Sequence, residues 1–297
     1  MELLRTPDEM FKNLPDFPYK PRYFETDGIR IHYIDEGPND AEPILLMHGE
    51  PTWCYLYRHM IPILVESGFR CIAPDLVGFG RSDKPTETGD HTYRKHVYWM
   101  TELVKALDLK NITLFCQDWG SLIGLRIAAE NADRFARIVL SNGGLPTGDQ
   151  TLNPAFMEWQ KISVKLRKQD FEIGIQQSTR RELTDGEVSA YVAPFPDNTY
   201  MAGARILPSL VPTSKDDPEN EANRNATKIF MEWDKPFLCA FSDGDPVTKG
   251  GDLFFIENVP GAKGQNHTTV KDAGHFVQED KGPEMAAIIL EFIKINS

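Results

Sequence analysis

Seven short runs rich in β-branched and aromatic residues, Arg22–Thr26, Arg30–Asp35, Ile44–Met47, Arg70–Ala73, Thr113–Cys116, Arg137–Ser141 and Phe237–Phe241, alternate with longer stretches of helical character. Strands that alternate with helices are joined by crossovers, and crossovers build a mainly parallel sheet, so this rhythm predicts an α/β fold. Val97, Met100, Val104 and Leu107 recur at three- and four-residue spacing, as do Met285, Ile288 and Phe292, which predicts helices packed on both faces of the sheet. The rhythm stops between about 143 and 222. There Pro146, Pro154, Pro194, Pro196, Pro208, Pro212 and Pro218 punctuate helix-like pieces with no convincing central strand. A helical cap over 143–222 is expected, inserted into a core made of 1–142 and 223–297. Inside it, Thr184-Asp185-Gly186-Glu187 has the spacing of a capping box.

A chain of 297 residues that is 41% hydrophobic can bury one large core. Its formal charge of −12 repels phosphate backbones and anionic lipid surfaces, so neither a nucleic-acid nor a membrane partner is expected. Met1 to Lys12 mixes charged and apolar residues without the apolar run of a secretory signal, and no later stretch is long enough to cross a bilayer; a cytoplasmic monomer is expected. Cys54, Cys71, Cys116 and Cys239 lack metal-ligand spacing, and the last three sit in apolar strand-like runs, which predicts buried thiols.

Chemistry concentrates in Thr113-Leu114-Phe115-Cys116-Gln117-Asp118-Trp119-Gly120-Ser121, which passes from an apolar strand through a sharp turn into the helical stretch Leu122–Ala129. A strand–turn–helix of this kind is a nucleophile elbow, holding one side chain exposed above the sheet, and here that side chain is the aspartate. A carboxylate attacks a carbonyl poorly, because the anhydride it would form is high in energy. It can displace a leaving group from saturated carbon, giving an alkyl ester on the enzyme that water then hydrolyses. A helix N-cap is the other role an aspartate takes at such a position.

Upstream, Ile44–Met47 runs into His48-Gly49-Glu50-Pro51, the place where this arrangement supplies a second backbone donor. The N–H groups of Glu50 and Trp119 form the expected oxyanion hole, each worth roughly 3–4 kcal/mol to the tetrahedral intermediate. Near the C-terminus, Asp272-Ala273-Gly274-His275-Phe276 offers His275 as the base. Asp245, in Phe241-Ser242-Asp243-Gly244-Asp245-Pro246, is the acid that would orient it, with Asp243 as a rival. A turn or capping role is open to either aspartate.

Taken together, Asp118-Trp119, His48-Gly49-Glu50-Pro51, Asp245 and Gly274-His275-Phe276-Val277-Gln278-Glu279 resemble the haloalkane dehalogenases of the α/β-hydrolase superfamily over almost the whole chain. The resemblance implies a mostly parallel eight-stranded sheet with an inserted helical cap. The implied reaction needs no cofactor and no metal, takes a small halogenated hydrocarbon and water, and releases halide. It also implies that the indole N–H of Trp119 holds the departing halide. Many members place a second donor, an asparagine, at the position of Glu50; a carboxylate there would repel a halide, so the chain departs from that pattern. The cap segment Ser189-Ala190-Tyr191-Val192-Ala193-Pro194-Phe195-Pro196-Asp197 is similar to the branch with two tryptophan halide ligands, which makes Trp159 the second donor, with Phe156 lining the same pocket. Trp233 is the fallback, and Trp53 and Trp99 read as structural. Members with the asparagine carry their acid after the strand here ending in Ser141-Asn142-Gly143-Gly144, which has no carboxylate, and this favours Asp245.

Two rival activities use similar residues. An epoxide hydrolase resembles this chain in its elbow aspartate and histidine–acid pair, but needs acidic hydroxyls, for which Tyr191 and Tyr200 are the candidates. Fluoroacetate hydrolysis would need an arginine that the elbow lacks. A fold retained only for binding small molecules is the alternative from another class.

Overall fold

The computed structural model describes residues 1–297. Eight strands form one sheet: β1 (Arg22–Thr26), β2 (Ile29–Glu36), β3 (Pro43–Met47), β4 (Arg70–Pro74), β5 (Ile112–Cys116), β6 (Phe135–Leu140), β7 (Phe237–Ser242) and β8 (Thr268–Val270), in the order β8-β7-β6-β5-β3-β4-β2-β1. From β8 to β4 every neighbouring pair is parallel, whereas β2 pairs antiparallel with both β4 and β1. The seven runs expected from the sequence are all strands, and the eighth is the short run before Asp272. A two-residue pairing of Leu3–Leu4 with Lys84–Pro85 lies outside the main sheet.

Both β3 and β5 are buried at every position, as expected of strands covered on both faces. The covering helices of the first half are α1 (Ile61–Glu66), α2 (Tyr93–Ala106) and α3 (Trp119–Glu130). Thr92 caps α2 by accepting from the Lys95 N–H at 3.2 Å, and Val97, Met100 and Val104 face inward from it. Helix α3 is apolar nearly all round because it lies between the sheet, α2 and a later helix.

Between β6 and the second half come α4 (Pro154–Ser163), α5 (Lys168–Gln177), α6 (Asp185–Val192) and α7 (Ala202–Ile206), with no strand among them. Asn153 caps α4 ahead of Pro154, and Thr184 and Glu187 form the reciprocal capping box of α6. Helix α8 (Asn220–Met231) returns to pack on α3, α9 (Leu253–Asn258) follows β7, and α10 (Val277–Ile295) closes the chain. No helix is long and apolar enough to cross a membrane. All four cysteines are buried and unpaired.

One buried cluster ties the inserted helices to the core. Arg58 reaches Glu279 of α10 through two nitrogens, at 2.6 and 2.8 Å, and Glu187 of α6 at 2.9 Å; Arg181 bonds both carboxylates, and the Tyr191 hydroxyl donates to Glu279. Two arginines and two glutamates balance in charge there, which is what makes their burial tolerable.

Candidate functional site

Asp118 follows the last residues of β5 at φ +50°, ψ −130°, a backbone conformation that side-chain-bearing residues seldom adopt. The bend is held by the Asp118 N–H, which donates to the Asn142 carbonyl at 3.0 Å, while the Asp118 carbonyl starts α3. Only glycine fits at two contacts around it. A Cβ on Gly120 would lie 1.9 Å from the Met47 carbonyl oxygen, and one on Gly49 would lie 2.1 Å from Asp118 Oδ1. Those absent methyls let the ends of β3 and β5 close around one carboxylate.

The Glu50 N–H donates to Asp118 Oδ1 at 2.8 Å, and His275 Nε2 stands 3.5 Å from Asp118 Oδ2. On the far side of the ring, Nδ1 is 2.9 Å from Asp245 Oδ2. Asp245 also accepts from the Val247 N–H at 2.8 Å and from the Thr248 hydroxyl, so its carboxylate is fixed in place. Asp243 points elsewhere, 3.9 Å from Lys271 at the surface.

Charge follows from this geometry. Burial raises the Asp245 carboxyl, but the neighbouring His275 and the hydrogen bonds from Thr248 and Val247 outweigh it and hold the group at about 2. Burial lowers His275, yet Asp245 and Asp118 on its two sides push it up to about 10. The side-chain nitrogen of Gln117, 3.0 Å from His275 Nε2, can donate only to the neutral ring. The imidazole thus has partners for both of its charge states.

A cavity of about 300 Å³ opens over Asp118, lined by Trp119, Leu145, Phe156, Trp159, Val211 and Phe254 among others. It is mostly apolar and sized for a small ligand. The Trp119 ring packs edge-on against Tyr93 at 5.2 Å between centroids, and no group of the protein engages its indole N–H. Trp159 enters from α4, one turn beyond Phe156, and its Nε1 donates to Glu50 Oε2 at 3.3 Å.

That contact sets the Glu50 side chain against Trp159 at the cavity wall. Glu50 is almost wholly buried, pairs with no lysine or arginine and neighbours Asp118; burial first, and the Asp118 charge second, push its carboxyl well above the ordinary carboxylate range against the opposing pull of the Trp159 N–H and His275. Both effects favour the protonated form of the Glu50 carboxyl.

The remaining candidates lie apart from this cavity. Trp53 donates to the Ala190 carbonyl at 3.1 Å, Trp99 packs against His96, and Trp233 is buried beside Phe230 with its N–H unpartnered. Tyr191 is bonded within the arginine–glutamate cluster, and neither it nor Tyr200 lines the cavity. Sequence reasoning missed three positions. Gln117 touches His275, and Thr248 fixes Asp245. Asn142 donates to the carbonyls of Gly274 and His275 at 3.1 and 2.9 Å and so braces the histidine loop from the end of β6. For Gln117 the signal was its place next to the elbow aspartate; nothing local marked the other two.

Comparison with known proteins gives the same picture. The family model described as the alpha/beta hydrolase fold matches residues 42–282. A haloalkane dehalogenase of Psychrobacter cryohalolentis is 53% identical over 100% of this chain and 99% of its own, and one of Mycolicibacterium paratuberculosis is 48% identical over 98% of each. Among solved structures, the tetrameric haloalkane dehalogenase DpaA of Paraglaciecola agarilytica superposes with a TM-score of 0.88 at 34% identity, covering 99% of this chain and 98% of that one. The chain belongs to the haloalkane dehalogenases of the α/β-hydrolase fold, hydrolases that act on carbon–halogen bonds.

Proposed function

We propose that Asp118 is the nucleophile, His275 the base and Asp245 the acid that orients it, with Trp119 and Trp159 as the halide donors. One observation carries the reading: the Asp118 carboxylate lies between a backbone donor and an imidazole, under an apolar cavity onto which two indoles open. Oδ1 is already engaged by the Glu50 N–H, which leaves Oδ2 to attack. As the Oδ2–carbon bond forms, the carbon–halogen bond breaks and the halide departs with its electron pair toward the indole N–H groups. Trp159 gives up its contact with Glu50 to receive it.

The ester so formed no longer carries the Asp118 charge, and His275 then becomes a better base. It takes a proton from water as the water oxygen attacks the Asp118 carbonyl carbon. The Glu50 and Trp119 N–H groups stabilise the resulting oxyanion, worth roughly 3–4 kcal/mol per donor. Collapse of this intermediate breaks the ester carbon–oxygen bond, the departing oxygen takes the proton from the His275 imidazolium to leave as alcohol, and the carboxylic acid formed at Asp118 releases its proton to restore the carboxylate. Phe156 shapes the pocket wall. In this reading the core is 1–142 with 223–297, and the cap is 143–222.

The proposed site needs no residue beyond those of one chain, so a monomer would suffice for the reaction; a cytoplasmic monomer is the proposed state. The Paraglaciecola relative is tetrameric, and sedimentation analysis distinguishes the two states. Epoxide opening lacks support, since no tyrosine lines the cavity. The test is a paired assay: halide release from 1,2-dibromoethane and no diol from styrene oxide are expected, and diol formation without halide release would reverse the assignment.

A further inference from the structure

We propose that Glu50 works as a neutral carboxylic acid that positions Trp159: it holds the indole N–H weakly in the empty site and yields it to the halide. The inference deepens the halide-site reading above and rests on Trp159 being a donor.

Three features of the site support it. Glu50 is 3% exposed, has no lysine or arginine within ion-pair distance, and its own N–H touches the Asp118 carboxylate. A second buried anion there would cost several kcal/mol, with only the Trp159 N–H and the His275 ring, already shared between Asp118 and Asp245, to set against it. Its Oε1 is fully buried without a hydrogen-bond partner, a situation a neutral acid tolerates better than an ion. Finally, the Trp159 Nε1 to Oε2 distance of 3.3 Å lies at the long end for N–H···O, whereas a carboxylate draws its donor in to about 2.7–2.9 Å.

The function follows from that weakness. Without a partner the Trp159 indole would be free to turn away, because α4 lies in the inserted helices and not on the sheet. With an ionised partner it would be held too strongly to leave, and the negative charge would oppose both the halide and the Asp118 attack. A neutral oxygen orients the N–H and surrenders it to any anion. Asp118 on the β5–α3 turn, His275 before α10 and Lys249 in the loop after β7 are the other titratable groups that face this region.

Two measurements test the proposal. Infrared difference spectroscopy of the parent chain, with bromide minus without, should show a carboxylic-acid carbonyl stretch that shifts when bromide takes the indole N–H, and that band should be absent in Glu50→Gln. Bromide titrations followed by tryptophan fluorescence should give Glu50→Gln an affinity within about threefold of the parent, with Glu50→Ala weaker by about tenfold, the worth of one hydrogen bond. Carboxylate bands alone at position 50, or an affinity loss in Glu50→Gln equal to that of Glu50→Ala, would overturn the inference. Trp159→Phe separates the two layers. Unchanged bromide affinity in that variant refutes Trp159 as a donor and the positioning role with it, whereas the acid band reports on the Glu50 proton regardless.

Discussion

Replacing Asp118 with asparagine imitates the charge of the alkyl ester, and the consequence for His275 can be worked from the structure. In the free enzyme the ring lies between two carboxylates and is held at about 10. His275 Nε2 and Asp118 Oδ2 are 3.5 Å apart, and at an effective dielectric constant of about 20 their attraction is about 5 kcal/mol. Loss of that attraction makes the imidazolium roughly three to four powers of ten more acidic, which brings it near neutrality. On the proposed mechanism, formation of the ester would thus switch on the base that hydrolyses it. Histidine NMR resonances followed against pH provide the assay, with intact mass checking that the amide at position 118 survives. The parent His275 signal should not titrate until about 10, and the Asp118→Asn signal should titrate several units lower. An unmoved titration would refute the idea that the nucleophile's charge controls the base.

Asp245→Asn should keep the fold but lose about four powers of ten in turnover, because an amide can fix the wrong imidazole tautomer and does not stabilise the imidazolium. The folded Asp245 value of about 2 lies below the ordinary aspartate value of ~3.9, so its contribution to stability is present above pH ~4 and lost as pH falls toward about 2. Acid unfolding curves of parent and variant should therefore converge across that interval; parallel curves would contradict the assignment. Glu279→Ala leaves Arg58 and Arg181 with Glu187 as their remaining carboxylate, and should cost about 3–5 kcal/mol and lower Tm by about 10 °C. A shift of a degree or two in calorimetry would show that the cluster does not anchor the inserted helices.

What could be read from the residues alone was what local pattern dictates. The strands β3, β5 and β7 are contiguous apolar runs, and the elbow aspartate is flagged by the strand before it and the helix after it, so Asp118, Asp245 and His275 emerge in chain order. The pairing of Asp245 instead of Asp243 with the ring depends on how the loop after β7 turns, and the sequence left both open. Contacts between the inserted helices and the core were out of reach. Glu50 and Trp159 are 109 residues apart and Arg58 and Glu279 are 221 apart, and no periodicity within either segment encodes where the other will lie. For the same reason the surroundings of position 50 were out of reach: a glutamate in a surface turn is an anion, whereas burial beneath an indole and beside another carboxylate favours the protonated form.

The central claim is that carbon is transferred to Asp118 before water acts, and it is tested most directly by mass spectrometry of His275→Phe after exposure to 1,2-dibromoethane. The account predicts one equivalent of bromide released per chain and a bromoethyl group on the peptide that contains Asp118. Steady turnover by that variant, or a halide burst with Asp118 unmodified, would contradict it.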